Sequence, residues 1–514
     1  MNRTVSLPIY LFILIGSVSI TLWSIYADPV INVDGILYIN TAKALAAGNT
    51  EHVNELYKWP VYSYLIAFVH KVSGMDLIAA AHVIDAVFNV AACIVFVHLI
   101  EMLGGTRRTV LIASLVIVLF PGLNELRSYI IRDHGFIVFY LSSFLFLLRA
   151  LRHRRPGLLL ASMALMGCAT LFRIEGVVFL AAVPFIYYYS GNRSATEKHV
   201  SVAIVCLVVA LFVLPVLGWW LHDPEKDAGS GLFSVENFEG VWTQITNQLH
   251  VKMAVLKNRF LETSSGNTAR LTYIWTVLGV ILIQIMITLS LPYTVIAGYG
   301  IRKRLAFPRP KFNRPWKLFI YFNVLVLLLF TFILFILTDR YSLALVILLL
   351  LVVPFALDHI YEKWRQAGSR SWRARTGYGL LALVLIANCI EGFTSLSYKE
   401  HLKESGTWLH SRVSPGDRVY TNNRIVLFYS GIPMDKVTVV NNMEALFADL
   451  YRGEWINHDL VVLQLPPDPK LEPHLKATLW VKPERVFTNK KGDQVRFYDI
   501  AAYRKSEQQE RSRK

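Results

Sequence analysis

Apolar runs long enough to cross a bilayer recur along almost the whole chain, and this excludes most folds. About 20 apolar residues in a helix span roughly 30 Å of hydrocarbon. Inside hydrocarbon only helices and closed barrels satisfy every backbone N–H and C=O. Such runs fall at 7–27, 78–103, 109–123, 134–151, 157–172, 176–190, 200–221, 271–298, 317–337, 340–360 and 378–398. The chain is therefore expected to be mainly α, a polytopic helical bundle of about eleven spans. A composition of 54% hydrophobic and only 17% charged residues agrees with this reading. Residues 1–27 read as an uncleaved first span, because the apolar stretch is long for a secretory signal and Ile25 is not small.

The basic residues are distributed unevenly between the spans. With a cytoplasmic N-terminus, the inside segments include "GGTRRT", "RALRHRRP", "YGIRKRLAFPRPKFNRPWK" and "EKWRQAGSRSWRARTGYG". Together with 1–6 and "SGNRSATEKH", they hold 21 Lys or Arg against two acids, Glu197 and Glu362. That bias is what orientation by cytoplasmic positive charge requires. Its surplus exceeds the net charge of +16 for the whole chain, so no nucleic-acid partner is needed to explain the basic balance. The expected address is the plasma (inner) membrane, multi-pass, with the bilayer itself as a partner. Cys93, Cys168, Cys206 and Cys389 all fall within spans, where they read as small apolar residues and not as disulfides or metal ligands.

The segments expected outside are unequal. Residues 28–77 and 222–270 form long loops, and an odd number of spans puts the C-terminal region outside as well. The spacing predicts a membrane module over 1–398, a small extracytoplasmic α/β domain over 399–504 and a disordered basic tail over 505–514. In the first loop "GILYINTAKALAAG" predicts an amphipathic helix ending at Gly48. "FSVENFEGVWTQITNQLHVKMAVLKNRFLE" predicts a helix lying in the membrane interface. "SPGDRVYTN", "DLVVLQL" and the pair "RVFTN" and "QVRFYDI" around "KKGD" predict strands and a hairpin.

Ionisable residues gather at the expected outer ends of the spans: Asp34, Lys58, Arg132, Asp133, Arg173, Glu175, Asp339 and Arg340. His82, Asp85 and Asn89 add a polar stripe to the outer half of the second span. Burying such groups beside hydrocarbon costs several kcal/mol unless they are paired or wet. Their clustering predicts a polar cavity at the membrane boundary. Simpler readings stand beside it. Asp34 before Gly35 suits an N-cap, the His82 stripe suits interhelical hydrogen bonding, and Arg173 and Glu175 could pair with each other. Nucleotide-binding glycine loops, HExxH and nucleophile elbows do not occur in the sequence.

Several motifs in order resemble the GT-C superfamily of integral membrane glycosyltransferases, in its branch of aminoarabinose transferase-like proteins and protein O-mannosyltransferases. "VDGILYINTAKALAAG" resembles the acid at the first outer loop, with Asp34 and Tyr38 one helical turn apart. "YKWPVYSYL" keeps the Lys, Pro and Tyr of a "KPPLYYWL"-like segment at Lys58, Pro60 and Tyr62. "IIRDHGF", "GCATLFRIEG" and "DRYSLALVILLLLVVP" match later motifs, and "SPGDRVYTN" resembles the outer domain of such enzymes. The chain departs from the pattern where Gly35 follows Asp34 in place of a second acid, where Tyr57 precedes Lys58, and at His82, where relatives often carry Arg.

The resemblance implies a GT-C-like fold and transfer of a sugar from a polyprenyl-phosphate-linked donor to an envelope acceptor (lipid, glycan or protein) on the extracytoplasmic face, with inversion. It implies Asp34 as general base. It implies Lys58, with Arg173, Arg270 or Arg340 and the Tyr341 hydroxyl, at the donor phosphate. Tyr38, Tyr57, His82, Asp85, Arg132, Asp133 and Glu175 would orient the acceptor or the arginines. A divalent cation is compatible with such a site but not demanded by it. The rival readings are a lipid-linked oligosaccharide polymerase or ligase, a transporter or flippase with its polar groups near the midplane, and a non-catalytic scaffold.

Overall fold

The computed structural model describes residues 6–190, 251–257 and, apart from short gaps, 268–504. The expected span at 200–221, most of the interfacial helix expected in 222–270, Cys206 and the tail lie outside the described residues. Six helices among those described are long and apolar enough to cross a membrane, and the protein is a multi-pass membrane protein.

The helices run in chain order as α1 (Leu7–Ala27), α2 (Val33–Ala46), α3 (Thr50–Leu56), α4 (Val61–Ser73) and α5 (Leu77–Leu103). They continue as α6 (Arg107–Val118), α7 (Pro121–Asn124), α8 (Asp133–His153), α9 (Pro156–Phe172) and α10 (Gly176–Ser190). After the undescribed stretch come α11 (Ala269–Leu289), α12 (Leu291–Arg302), α13 (Asn313–Leu334), α14 (Asp339–Leu350), α15 (Val353–Ala367) and α16 (Trp372–Thr394). Two runs expected as single spans are broken. The 271–298 run splits at Ser290, which has φ of 68°, ahead of Pro292. The 340–360 run splits at Leu351 and Val352, ahead of Pro354. In both cases proline lacks the N–H a continuous helix needs, and its ring meets the preceding turn.

Close packing groups the chain into two compact units: 1–21, 84–126 and 132–394 in the first, and 22–83, 127–131 and 395–514 in the second. In the first unit α8 and α9 pack tightly and are cross-linked by hydroxyls. Ser143 Oγ donates to the Ser162 carbonyl and Ser162 Oγ to the Ser143 carbonyl, both at 2.7 Å. Small residues exchanging hydrogen bonds are what holds helices together where apolar contact alone gives no preference over lipid. Tyr140, Phe144, Phe179 and Phe319 fill the space beside them, with ring centroids 4.6–5.7 Å apart. At one end of these helices Arg108 pairs with Asp358 and, at 2.7 Å, with Glu362, and Thr106 and Thr109 close a capping box on α6.

In the second unit the first-loop helices α2 to α4 are the expected helical segment, and α2 ends two residues before Gly48. The C-terminal region adds α17 (Glu400–Arg412), α18 (Arg424–Ser430), α19 (Met443–Arg452) and α20 (Leu471–Thr478) to a five-stranded sheet. Its strands are β1 (Val419–Thr421), β2 (Val437–Val439), β3 (Leu460–Leu465), β4 (Arg485–Thr488) and β5 (Gln494–Asp499), in the order β2-β1-β3-β5-β4. β1 is parallel to β2 and β3, while β5 is antiparallel to β3 and β4. The expected strands are all present, and β2 joins them. Tyr420, Leu446, Trp455, Val461, Leu463 and Tyr498 form the core on one side of this sheet.

The contact of α8 with α9 depends on Gly135. A Cβ there would fall on the ring of Phe172, which is itself wedged against Phe139 and Phe88. Gly135→Ala is expected to cost about 1–3 kcal/mol as overpacking, read as a lowered thermal midpoint in detergent. Adding Phe172→Leu should restore part of the loss.

Candidate functional site

Five of the residues singled out from the sequence come together in the first unit. Arg173 follows the last turn of α9 in extended conformation and turns the chain into α10, with the Gly176 N–H bonded to its carbonyl at 3.0 Å. Its side chain is only 6% exposed and is gripped by two carboxylates. Nη1 donates to Asp133 at the start of α8, Nη2 donates to Glu175 Oε1 at 2.8 Å, and Nε to Glu175 Oε2 at 3.4 Å. The guanidinium also stacks over Tyr341 at 4.6 Å and lies 5.6 Å from the centroid of Phe136. Burial by itself would raise the pKa of Glu175. The Arg173 charge outweighs that and holds the carboxyl below its ordinary value.

These groups line a small cavity of about 30 Å³ with Arg340, Tyr341, Asn323, Phe179 and Phe330. Two carboxylates against one guanidinium leave a negative charge, which Arg340 offsets. Asn323 donates to the Tyr140 hydroxyl at 2.5 Å and to the Phe319 carbonyl at 2.7 Å. Asn323 was overlooked in the sequence, although an amide inside "YFNVLVLLLF" carries the same desolvation cost as the charged residues that were weighed. Asp339 turns away from its neighbour. It accepts from Gln284 and, at 3.1 Å, from Thr288, and lines a different cavity.

Asp34 and Lys58 belong to the second unit. Asp34 is not the N-cap: Asn32 takes that position, and Asp34 lies half-buried in the first turn of α2. Asn32 is held elsewhere, its amide donating to the Ile130 carbonyl at 3.2 Å and accepting from the Ile130 N–H at 2.9 Å. One residue earlier, the Ile31 N–H donates to the Tyr429 hydroxyl at 3.0 Å, and that hydroxyl donates to the Pro29 carbonyl at 3.3 Å. A Cβ at position 35 would lie 2.8 Å from Asn32 Oδ1 and 3.1 Å from Ile130, so a glycine must follow Asp34 here. This accounts for the departure from the acidic pair of the resembling family.

Tyr38, one turn along α2, is buried. Its ring packs edge-on against Tyr57 and Tyr62, with centroids 5.7 and 5.2 Å away. These tyrosines bracket the short connection that carries Lys58, so the ring cluster ties that connection to the turn after Asp34. Lys58 itself is exposed and makes no ion pair among the described residues.

The remaining candidates are more scattered. Asp85 and Asn89 are buried in α5 and His82 is half-buried. Neither Asp85 nor the half-buried Arg132 lines the Arg173 cavity. Arg270 lies in the first turn of α11, and its side chain is outside the described residues. Among the described residues no three His, Cys, Asp or Glu side chains are grouped so as to hold a metal ion. Arg127, which is fully buried, escaped the sequence reading because it sits between spans, where an exposed arginine is ordinary.

The protein-family model "Dolichyl-phosphate-mannose-protein mannosyltransferase" matches residues 58–219, a segment that begins at Lys58 and leaves Asp34 outside it. Curated protein sequences give no match. Among solved structures, the chain is similar to ArnT from Cupriavidus metallidurans bound to undecaprenyl phosphate. The TM-score is 0.59 at 13% identity, covering 95% of this chain and 97% of that one. It is also similar to the archaeal oligosaccharyltransferase AglB from Archaeoglobus fulgidus, in complex with an inhibitory peptide and a dolichol-phosphate. There the TM-score is 0.54 at 11% identity, covering 88% and 69%. The chain has the GT-C fold.

Removing the centre of the ion cluster strands two buried carboxylates. Arg173→Ala is expected to cost about 3–5 kcal/mol, seen as low yield and a lowered thermal midpoint in detergent. A volume-matched neutral triple variant, Asp133→Asn/Arg173→Met/Glu175→Gln, should recover most of the midpoint.

Proposed function

We propose that this GT-C-fold protein transfers a sugar from a polyprenyl-phosphate donor to an envelope acceptor on the extracytoplasmic face of the membrane. The observation that carries the reading is the placement of Asp34. Its carboxylate sits half-buried in the first turn of a helix whose start is tied down by Asn32, Ile130 and Tyr429. The tyrosine cluster keeps the Lys58 connection against the same helix. The family match from Lys58 onward and the fold support the donor class.

In this reading the acceptor hydroxyl or amine attacks the anomeric carbon and Asp34 takes its proton. The bond from that carbon to the phosphate oxygen breaks on the opposite side, and the sugar is inverted. The departing polyprenyl phosphate carries the developing charge, which cations must meet. Lys58, an ammonium with no ion-pair partner among the described residues, is the first of these, with Arg340, Arg270 and the Tyr341 hydroxyl as further donors. Arg173, Asp133 and Glu175 hold the neighbouring helix ends, a role that fits a guanidinium already engaged twice.

The test is turnover of polyprenyl-phosphate sugars by the reconstituted full chain. Asp34→Asn should lower kcat about 100-fold or more with donor binding intact. Lys58→Ala should weaken donor binding about tenfold. Wild-type turnover by Asp34→Asn at normal expression would remove the base assignment. Mass spectrometry of the spent donor separates the oligosaccharide ligase reading, which releases a diphosphate. Lipid movement without glycosidic bond formation would instead indicate a flippase.

A further inference from the structure

A second cavity in the first unit, of about 960 Å³, lies among the end of α11, the start of α12, α7, the start of α14 and the second half of α16. One wall is apolar, formed by Ile283, Met286, Ile287, Leu291, Val384 and Ile390. The other part carries three carboxylates, Glu125, Asp339 and Glu391, and no Lys, Arg or His is in the lining. Asp339 is oriented by Gln284 and Thr288. Carboxylates alone would prove little, but Asn388 adds an independent sign. Its side chain lines this cavity, the residue is 4% exposed, and neither its amide nitrogen nor its oxygen has a hydrogen-bond partner among the described residues. The buried Ser290 hydroxyl, at the break between α11 and α12, is likewise without a partner. An amide with both ends unsatisfied is costly to bury, and the cost falls if a ligand's polar group meets it in the cavity.

We propose that this cavity binds an amphiphile with a cationic, amine-bearing head and a long apolar chain. The ammonium would lie among Glu125, Asp339 and Glu391 and donate to the Asn388 oxygen, while the chain follows the apolar wall. An anionic head is disfavoured because the lining offers three negative charges and no positive one. The inference does not rest on the glycosyl-transfer reading and holds or falls separately from it.

The full chain in neutral detergent is titrated with hexadecylamine, hexadecanol and hexadecyl phosphate, and bound adducts are counted by native mass spectrometry. Saturable one-to-one binding of the amine, at least about tenfold tighter than the alcohol and tighter still than the phosphate, is expected. Glu125→Gln/Glu391→Gln should abolish the preference, and Asn388→Leu should weaken amine binding while sparing the alcohol. Equal binding of amine and alcohol, tightest binding of the phosphate, progressive unsaturable adducts, or an unchanged preference in the double variant would each overturn the proposal. Should a variant not fold, the comparison of the three amphiphiles on the wild-type chain decides the matter.

Discussion

The Arg173 guanidinium, held by Asp133 and Glu175, fixes the polar end of the first unit. A charge buried at 6% exposure cannot be left alone beside hydrocarbon, and neither can the two carboxylates that meet it. The pairing therefore obliges the start of α8, the turn from α9 into α10 and, through Tyr341, the start of α14 to converge. Gly135 permits the close approach of α8 and α9 that this convergence requires. The small cavity with Arg340 and Asn323 is a consequence of those constraints.

The second unit reaches its order by a different route. Asp34 is positioned chiefly through backbone groups, since Ile31 and Ile130 are bound by the side chains of Tyr429 and Asn32. Three stretches far apart in the chain meet there: 29–35, 127–131 and the start of the C-terminal region. Tyr429 also faces Lys403, whose ammonium lies 5.7 Å from its ring, and Lys399 covers Tyr129 in the same way at 5.2 Å. The C-terminal sheet region thus supports the first-loop helix from within a single unit.

What was legible beforehand followed the strength of each local signal. Long apolar runs and a hairpin around "KKGD" were readable because helix and strand periodicities extend over many residues. The breaks at Ser290 and at Leu351–Val352 were not anticipated, although Pro292 and Pro354 were in plain sight, because apolarity continues through both. β2 is three residues long and carries no pattern to detect. Asp34 before Gly35 suggested an N-cap, yet Asn32 begins the helix and spends its side chain on Ile130 instead. Asn323 and Asn388 were passed over because attention fell on charged residues at span ends, while an amide within a span raises the same question of who satisfies it.

The sequence by itself determined that this is a membrane-embedded helical protein with a small mixed sheet near its C-terminus, because hydropathy and strand patterning are written residue by residue. It also determined which ionisable groups would be expensive to bury. Only the tertiary structure decided how that cost is met: Arg173 with both Asp133 and Glu175, Asp339 with Gln284 and Thr288, and Lys58 left without an ion pair among the described residues. Partner choice depends on which helix ends coincide in space, and no local pattern in a chain encodes that.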